Sequence, residues 1–274
     1  MARAKPKSEL PGPGAGRSPA LLPEWATAAE VQAELARLAD PGRVPGLLRF
    51  FKTGPGEYAQ GDRFRGLVVP QVRAVVKQAG GLALTELGRL VESPWHEDRL
   101  AGLLVAVRQY PGATPAGRRA LYEFYLEAAR AGRINNWDLV DVTAERVVGA
   151  WLRDRPERGP ALDRLAGSGL LWERRIAVLA TLHFIRCGEF GDTLRLAARL
   201  RDDPHDLMHK AVGWMLREVG KRDRAALDGF LATHAARMPR TMLRYAIEKH
   251  SPAERQRWRA ERTADRYGEP KAEG

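Results

Sequence analysis

Cysteine is almost absent from this chain. A single residue, Cys187, among 274 leaves no internal disulfide to form and fits a reducing cytosol. Nothing approaches an uninterrupted apolar run of about 18 residues, which excludes a transmembrane helix. The N-terminus lacks the basic, apolar and small-residue layout of a secretory leader. No alternating β-branched run of strand length stands out, so little supports a sheet. Acidic residues are outnumbered, 34 against 45 Lys and Arg, for a formal net charge of +11. That balance favours a polyanionic partner, nucleic acid ahead of a membrane surface. A solubility bias towards Arg would give the same number.

What is present is helical periodicity. Residues 1–22, rich in Pro, Gly and basic side chains, read as a disordered basic arm that touches phosphates non-specifically. Residues 23–258 read as one domain, and the charged stretch 259–274 as a flexible tail. ATAAEVQAELARLAD and VPGLLRFF are helical, then GPGEYAQGD interrupts with three Gly and one Pro. Periodicity resumes at Pro70, a good first-turn residue.

Beyond that point the chain repeats. SPWHEDRLAGLLVAVRQY, INNWDLVDVTAERVVGAWL, SGLLWERRIAVLATLHFIR, DPHDLMHKAVGWMLREVG and MPRTMLRYAIEKH overlay without gaps, and helices such as RRALYEFYLEAARA lie between them. The overlay puts Arg99, Asp141, Arg175, Lys210 and Arg244 in one register, at intervals of 42, 34, 35 and 34 residues. Two helices per unit at this period predict an all-α, HEAT-like α-solenoid. The alternative is a non-repeating helical bundle.

In such a solenoid the second helices line a concave face, and the shared register becomes a row along it. Four cations in that row form a basic DNA-binding groove, a track for a phosphate backbone. Arg174, Arg217, Lys221, Arg222 and Arg240 extend it. Lys210, Trp214 and Arg217 share a helix face, as do Trp172 and Arg175, and Trp137 and Asp141. An isolated Trp is usually core, and Trp25, Trp95, Trp151 and Trp258 are read that way. Three indoles beside one charged row point instead to a flat ligand. Asp141 is the exception in the row. It could simply pair with Arg175 or Lys210. A carboxylate also repels phosphate, however, and stabilising positive charge in a transition state would justify it.

At INNWDLVD, LLWERRIAV and HKAVGWMLRE the sequence resembles the DNA alkylation repair (AlkD-like) family of HEAT-repeat DNA glycosylases, from about Phe50 to His250. The combination W-x-x-x-D, W-x-x-R and K-A-x-G-W-x-L-R-E in this order carries the resemblance. It implies a monofunctional glycosylase that removes N3- and N7-alkylated purines from double-stranded DNA, without flipping the base into a pocket. It implies that Asp141 is the catalytic carboxylate. Trp137 and Trp214 would hold the lesion's deoxyribose, and Arg175 would meet the adjoining phosphate. Arg99, Trp172, Arg174, Lys210, Arg217, Lys221, Arg240 and Arg244 are then expected to bind DNA. The GPGEYAQGD loop is not shared by every branch, which leaves the role of Tyr58 open.

His205 and His209 are four apart, but no third ligand has useful spacing and Pro204-His205-Asp206 suits a helix start. His96-Glu97-Asp98 reads as first-turn acid at another. No metal or cofactor is expected. The protein should be a cytoplasmic, nucleoid-associated monomer. Its rival readings are a non-catalytic damage-binding protein and, further off, a protein–protein scaffold.

Overall fold

The structure, a computed structural model, describes residues 25–267, with side chains to residue 261. The expected basic arm at 1–22 lies outside the described residues. Among the described residues no β-strand forms, only an isolated bridge between Arg63 and Trp95.

The chain enters through α1 (Ala28–Arg37), α2 (Val44–Phe50) and α3 (Val69–Val76). Thr27 and Glu30 close a capping box on α1: the threonine hydroxyl accepts from Glu30 N, and the glutamate accepts from Thr27 N. Pro70 sits in the first turn of α3, where its missing N–H costs nothing. Helix pairs then follow in chain order: α4 (Leu84–Val91) with α5 (His96–Gln109), and α6 (Pro115–Arg130) with α7 (Trp137–Asp141) and α8 (Ala150–Leu152). After them come α9 (Arg158–Ala166) with α10 (Leu171–Arg186), α11 (Gly191–Arg199) with α12 (Asp206–Gly220), and α13 (Arg224–His234) with α14 (Arg240–Ala246). The last helix is α15 (Pro252–Tyr267). This all-helical arrangement fits the α-solenoid expected from the repeat.

The two members of a pair differ in patterning, and the difference decides their place. Helix α4 buries one stripe, Leu87, Leu90 and Val91, so its other faces meet solvent. Helix α10 is apolar on nearly every side, from Ile176 to Ile185, and is buried between neighbours. A continuous apolar core therefore runs from Val31 in α1 to Trp258 in α15.

The second helix of the α6 pair is broken, although its sequence reads as one run. Helix α7 is a single turn ending at Asp141, and a π-helical stretch, Glu145–Gly149, precedes α8. Thr143 explains the break: its hydroxyl donates to the Leu139 carbonyl and accepts from Tyr125 OH at 2.8 Å. Gly213 sets a second local feature. A Cβ there would lie 2.5 Å from the Met242 carbonyl oxygen and 2.6 Å from Tyr245 Cβ. Only glycine lets α14 approach α12 so closely, and Tyr245 reaches the same cleft as Trp214 as a result.

Candidate active site

A cleft of about 460 Å³ is lined by Phe50, Lys52, Tyr58, Trp137, Asp141, Arg175, Leu207, Lys210, Trp214 and Tyr245. Trp137, Asp141, Arg175 and Trp214, the four residues expected to carry the chemistry, therefore meet in one place. They arrive from three different inner helices.

Trp137 opens α7, where the Asn136 side chain accepts the Trp137 N–H at 2.8 Å. Asp141 follows one turn later, so both side chains reach the cleft. Behind Trp137, Phe51 stacks on the indole at 5.4 Å and Phe50 meets it edge-on at 5.7 Å. Tyr58 lines the same cleft. Trp214, half-buried against the core, donates its own indole N–H to Glu218 at 3.2 Å.

Arg175 holds Asp141 in a two-pronged pair. Its Nε and one terminal nitrogen each donate to a carboxylate oxygen at 2.8 Å, and the other terminal nitrogen donates to the Leu207 carbonyl at 2.6 Å. The Arg175 side chain is 5% exposed and that of Asp141 14%. Burial pushes the Asp141 carboxyl up from the ordinary Asp range, and the Arg175 charge and hydrogen bonds only partly pull it back. The ion pair that the sequence left open as one reading of Asp141 is therefore formed. It also commits most of the Arg175 guanidinium, which was expected to meet a phosphate.

The basic row is less uniform than its register suggested. Arg99 is buried, bonded to Asp62 and Asn135 at 2.8 and 3.2 Å and to the Ser93 carbonyl, so it presents nothing to a phosphate. Arg174 is likewise occupied, by Asp203 at 2.7 Å and by the carbonyls of Ser168 and Gly169. Both pattern as surface residues because register fixes a helix face, whereas the carboxylates that capture them come from distant loops. Trp172 does not line the cleft; it braces Tyr58 edge-on at 5.7 Å. Lys210 does line it, paired with Asp206 at 2.7 Å. Arg217 pairs with Glu248, and Lys221 with Glu218 at 2.6 Å. Arg240 and Arg244 are exposed and meet no carboxylate among the described residues, Arg244 lying over Tyr245 at 5.0 Å.

The sequence reading missed Phe50, Lys52, Leu207 and Tyr245, and left Tyr58 undecided. Phe50 carries the one signal that was available, an aromatic doublet ahead of a glycine-rich break; it is 61% exposed. Lys52 adopts φ 57°, left-handed for a non-glycine residue, as the chain turns out of α2. His205 caps α12 by accepting from Leu207 N, and His209 bonds the Asp203 carbonyl at 2.6 Å.

A family model described as DNA alkylation repair enzyme matches residues 31–250. A solved structure described as a predicted DNA alkylation repair enzyme from Enterococcus faecalis is similar with a TM-score of 0.61 and 15% identity. That match covers 78% of this chain and 97% of the other. At this identity it speaks for the fold. No curated protein matches the chain.

Proposed function

Because the chain belongs to the DNA alkylation repair enzyme family, we propose that it is a monofunctional DNA glycosylase of base excision repair, acting on positively charged N3- and N7-alkylated purines in duplex DNA. One observation carries this reading: a nearly dry carboxylate, Asp141, lines one open cleft together with two indoles, Trp137 and Trp214.

The chemistry suits that arrangement. An alkylated purine carries positive charge, so its glycosidic bond is already weak. When the C1′–N bond breaks, its electron pair neutralises the departing base and leaves an oxocarbenium-like sugar. A fixed carboxylate stabilises that cation and orients the water that adds to C1′; the water's proton passes to the carboxylate or to solvent. The indole faces of Trp137 and Trp214 add cation–π attraction of about 0.5–2 kcal/mol. Arg175 favours the ionised form of Asp141 against its burial and fixes its direction. Folding brings Lys52 and Lys210 to the cleft, but each stands beside a carboxylate, Glu57 and Asp206. Those pairs oppose the free amine that a Schiff-base lyase step needs.

In this reading selection rests on the lability of the cationic lesion rather than on a base pocket. The exposed Arg240 and Arg244 are available to phosphates. A second reading, a damage-binding protein without catalysis, draws on the same Asp141–Arg175 pair taken as a structural ion pair. The test is base release from methylated duplex DNA by wild type and Asp141→Asn, with the released purines identified chromatographically. Release by wild type alone supports the glycosylase. Release by neither, with DNA binding intact, supports the binder. Nothing in the described residues is long and apolar enough to cross a membrane.

A further inference from the structure

Four consecutive polar residues, His96, Glu97, Asp98 and Arg99, open α5, and all four are buried. Four successive positions on a helix point in all directions, so this turn is enclosed on every side. Each side chain takes a different partner. Glu97 accepts three successive backbone N–H groups, from Arg65, Gly66 and Leu67, at 2.9–3.1 Å. Asp98 pairs with Arg65 at 2.8 Å and accepts from Ser93. Arg99 holds Asp62. The dipole reading of this turn from sequence explains Glu97 and Asp98; it does not explain His96, since a cation at a helix N-terminus is unfavourable.

His96 faces two elements that line the cleft. Nε2 lies 2.8 Å from Asp138 in the first turn of α7, next to Trp137. Nδ1 lies 3.5 Å from Asp62 at the end of the loop that carries Tyr58. Its ring packs against Phe64 at 4.7 Å and, tilted, against Phe51 at 5.1 Å; those two rings stack on each other, and Phe51 in turn stacks on Trp137. We propose that His96 is a positioning residue, whose imidazolium ties the loop at 51–64 to the start of α7 and so seats Trp137 in the cleft.

The charge matters because both ring nitrogens face carboxylates. A neutral ring keeps its N–H for Asp138 and turns a lone pair towards Asp62, replacing attraction by repulsion. The charged groups facing the ring are Asp138 from α7, Asp62 from the loop and Arg99 from its own helix. Burial and the Arg99 charge push the imidazole down, but Asp138 and Asp62 outweigh them and carry it up to about 9. The tie is therefore closed at neutral pH and opens in mild alkali. Arg99 and Asn135 still hold Asp62 when it opens, so the loop shifts rather than unfolds.

The decisive measurement needs no DNA and is read first on the wild-type chain. The imidazoles of the wild-type chain are followed by ¹⁵N-resolved NMR against pH, together with the indole N–H signals; Trp137→Phe assigns the indole in question. The expected result is that the Trp137 indole signal moves with the midpoint of His96. Asp138→Asn, which keeps an acceptor but removes a charge, lowers that midpoint by roughly one unit or more. A Trp137 signal that stays still while His96 titrates overturns the proposal, as does a neutral His96 at pH 7.

A kinetic arm rests on the glycosylase reading. Wild-type kcat/KM for base release falls roughly tenfold across the same midpoint, Asp138→Asn draws that limb to lower pH, and His96→Gln lacks it. A purely structural role would lower activity at every pH without a limb, and that result would also overturn the proposal. A chain that releases no base refutes the glycosylase reading and leaves the NMR arm to decide this one.

Discussion

Asp141 and Arg175 meet through two parallel hydrogen bonds of 2.8 Å, from residues 34 apart on successive inner helices. Because the Arg175 guanidinium is also fixed by the Leu207 carbonyl, the carboxylate is aimed rather than merely neutralised. The pair converts a buried acid, which would otherwise favour protonation, into an oriented anion at the floor of a cleft.

Replacing Asp141 with Asn is expected to lower base release by about 10²–10³-fold, the scale seen when one preorganised electrostatic group is removed from an active site. Affinity for DNA should hold or rise, since a repelling charge has gone. Single-turnover release beside a binding isotherm checks both halves.

Activity should also have an acid limb. The Asp141 carboxyl lies above the ordinary Asp range, so the active carboxylate is lost as pH falls, and earlier than an exposed Asp would lose it. Arg175→Ala removes the charge that holds the group down, so the limb should move to higher pH. A pH–rate profile in which the two proteins share one limb would contradict this.

Phe50 stands at the mouth of the cleft and is 61% exposed. Truncation to Ala should change stability by no more than about 0.5 kcal/mol, the usual range for surface sites, while weakening DNA affinity severalfold. Thermal melting and binding measured on the same preparation separate the two effects.

The two kinds of cation in the repeat row should behave in opposite ways. Arg99→Ala breaks a buried pair with Asp62 and should cost about 3–5 kcal/mol of stability, with no change in the salt dependence of DNA binding. Arg240→Ala and Arg244→Ala should leave melting unchanged and each shallow the log–log salt slope by about 0.9. Denaturant unfolding and a salt titration read the contrast.

Stability should decline in mild alkali. His96 is raised to about 9 in the folded chain from an ordinary 6.5, so its contribution is complete below about 6.5 and lost as pH rises through about 9. The difference amounts to about 3 kcal/mol. His96→Gln should flatten the fall in unfolding free energy between those limits.

The repeat, the helix pairs and the register of Asp141 with Arg175 were legible in the sequence because they are periodic, and periodicity is set by local geometry. The sequence alone therefore determined the all-α class, the resemblance, and the four residues that meet in the cleft. Tertiary structure decided the rest, because it depends on contacts between segments that the repeat pattern does not relate. It buried Arg99 and tied up Arg174, each with a carboxylate that the repeat pattern does not contain. It folded the loop after α2 back so that Phe50 and Tyr58 reach Trp137, and it broke the inner helix after Asp141 through a threonine hydroxyl. Which charges a fold leaves facing solvent follows from what packs against each helix, and that is not written in any single stretch of chain.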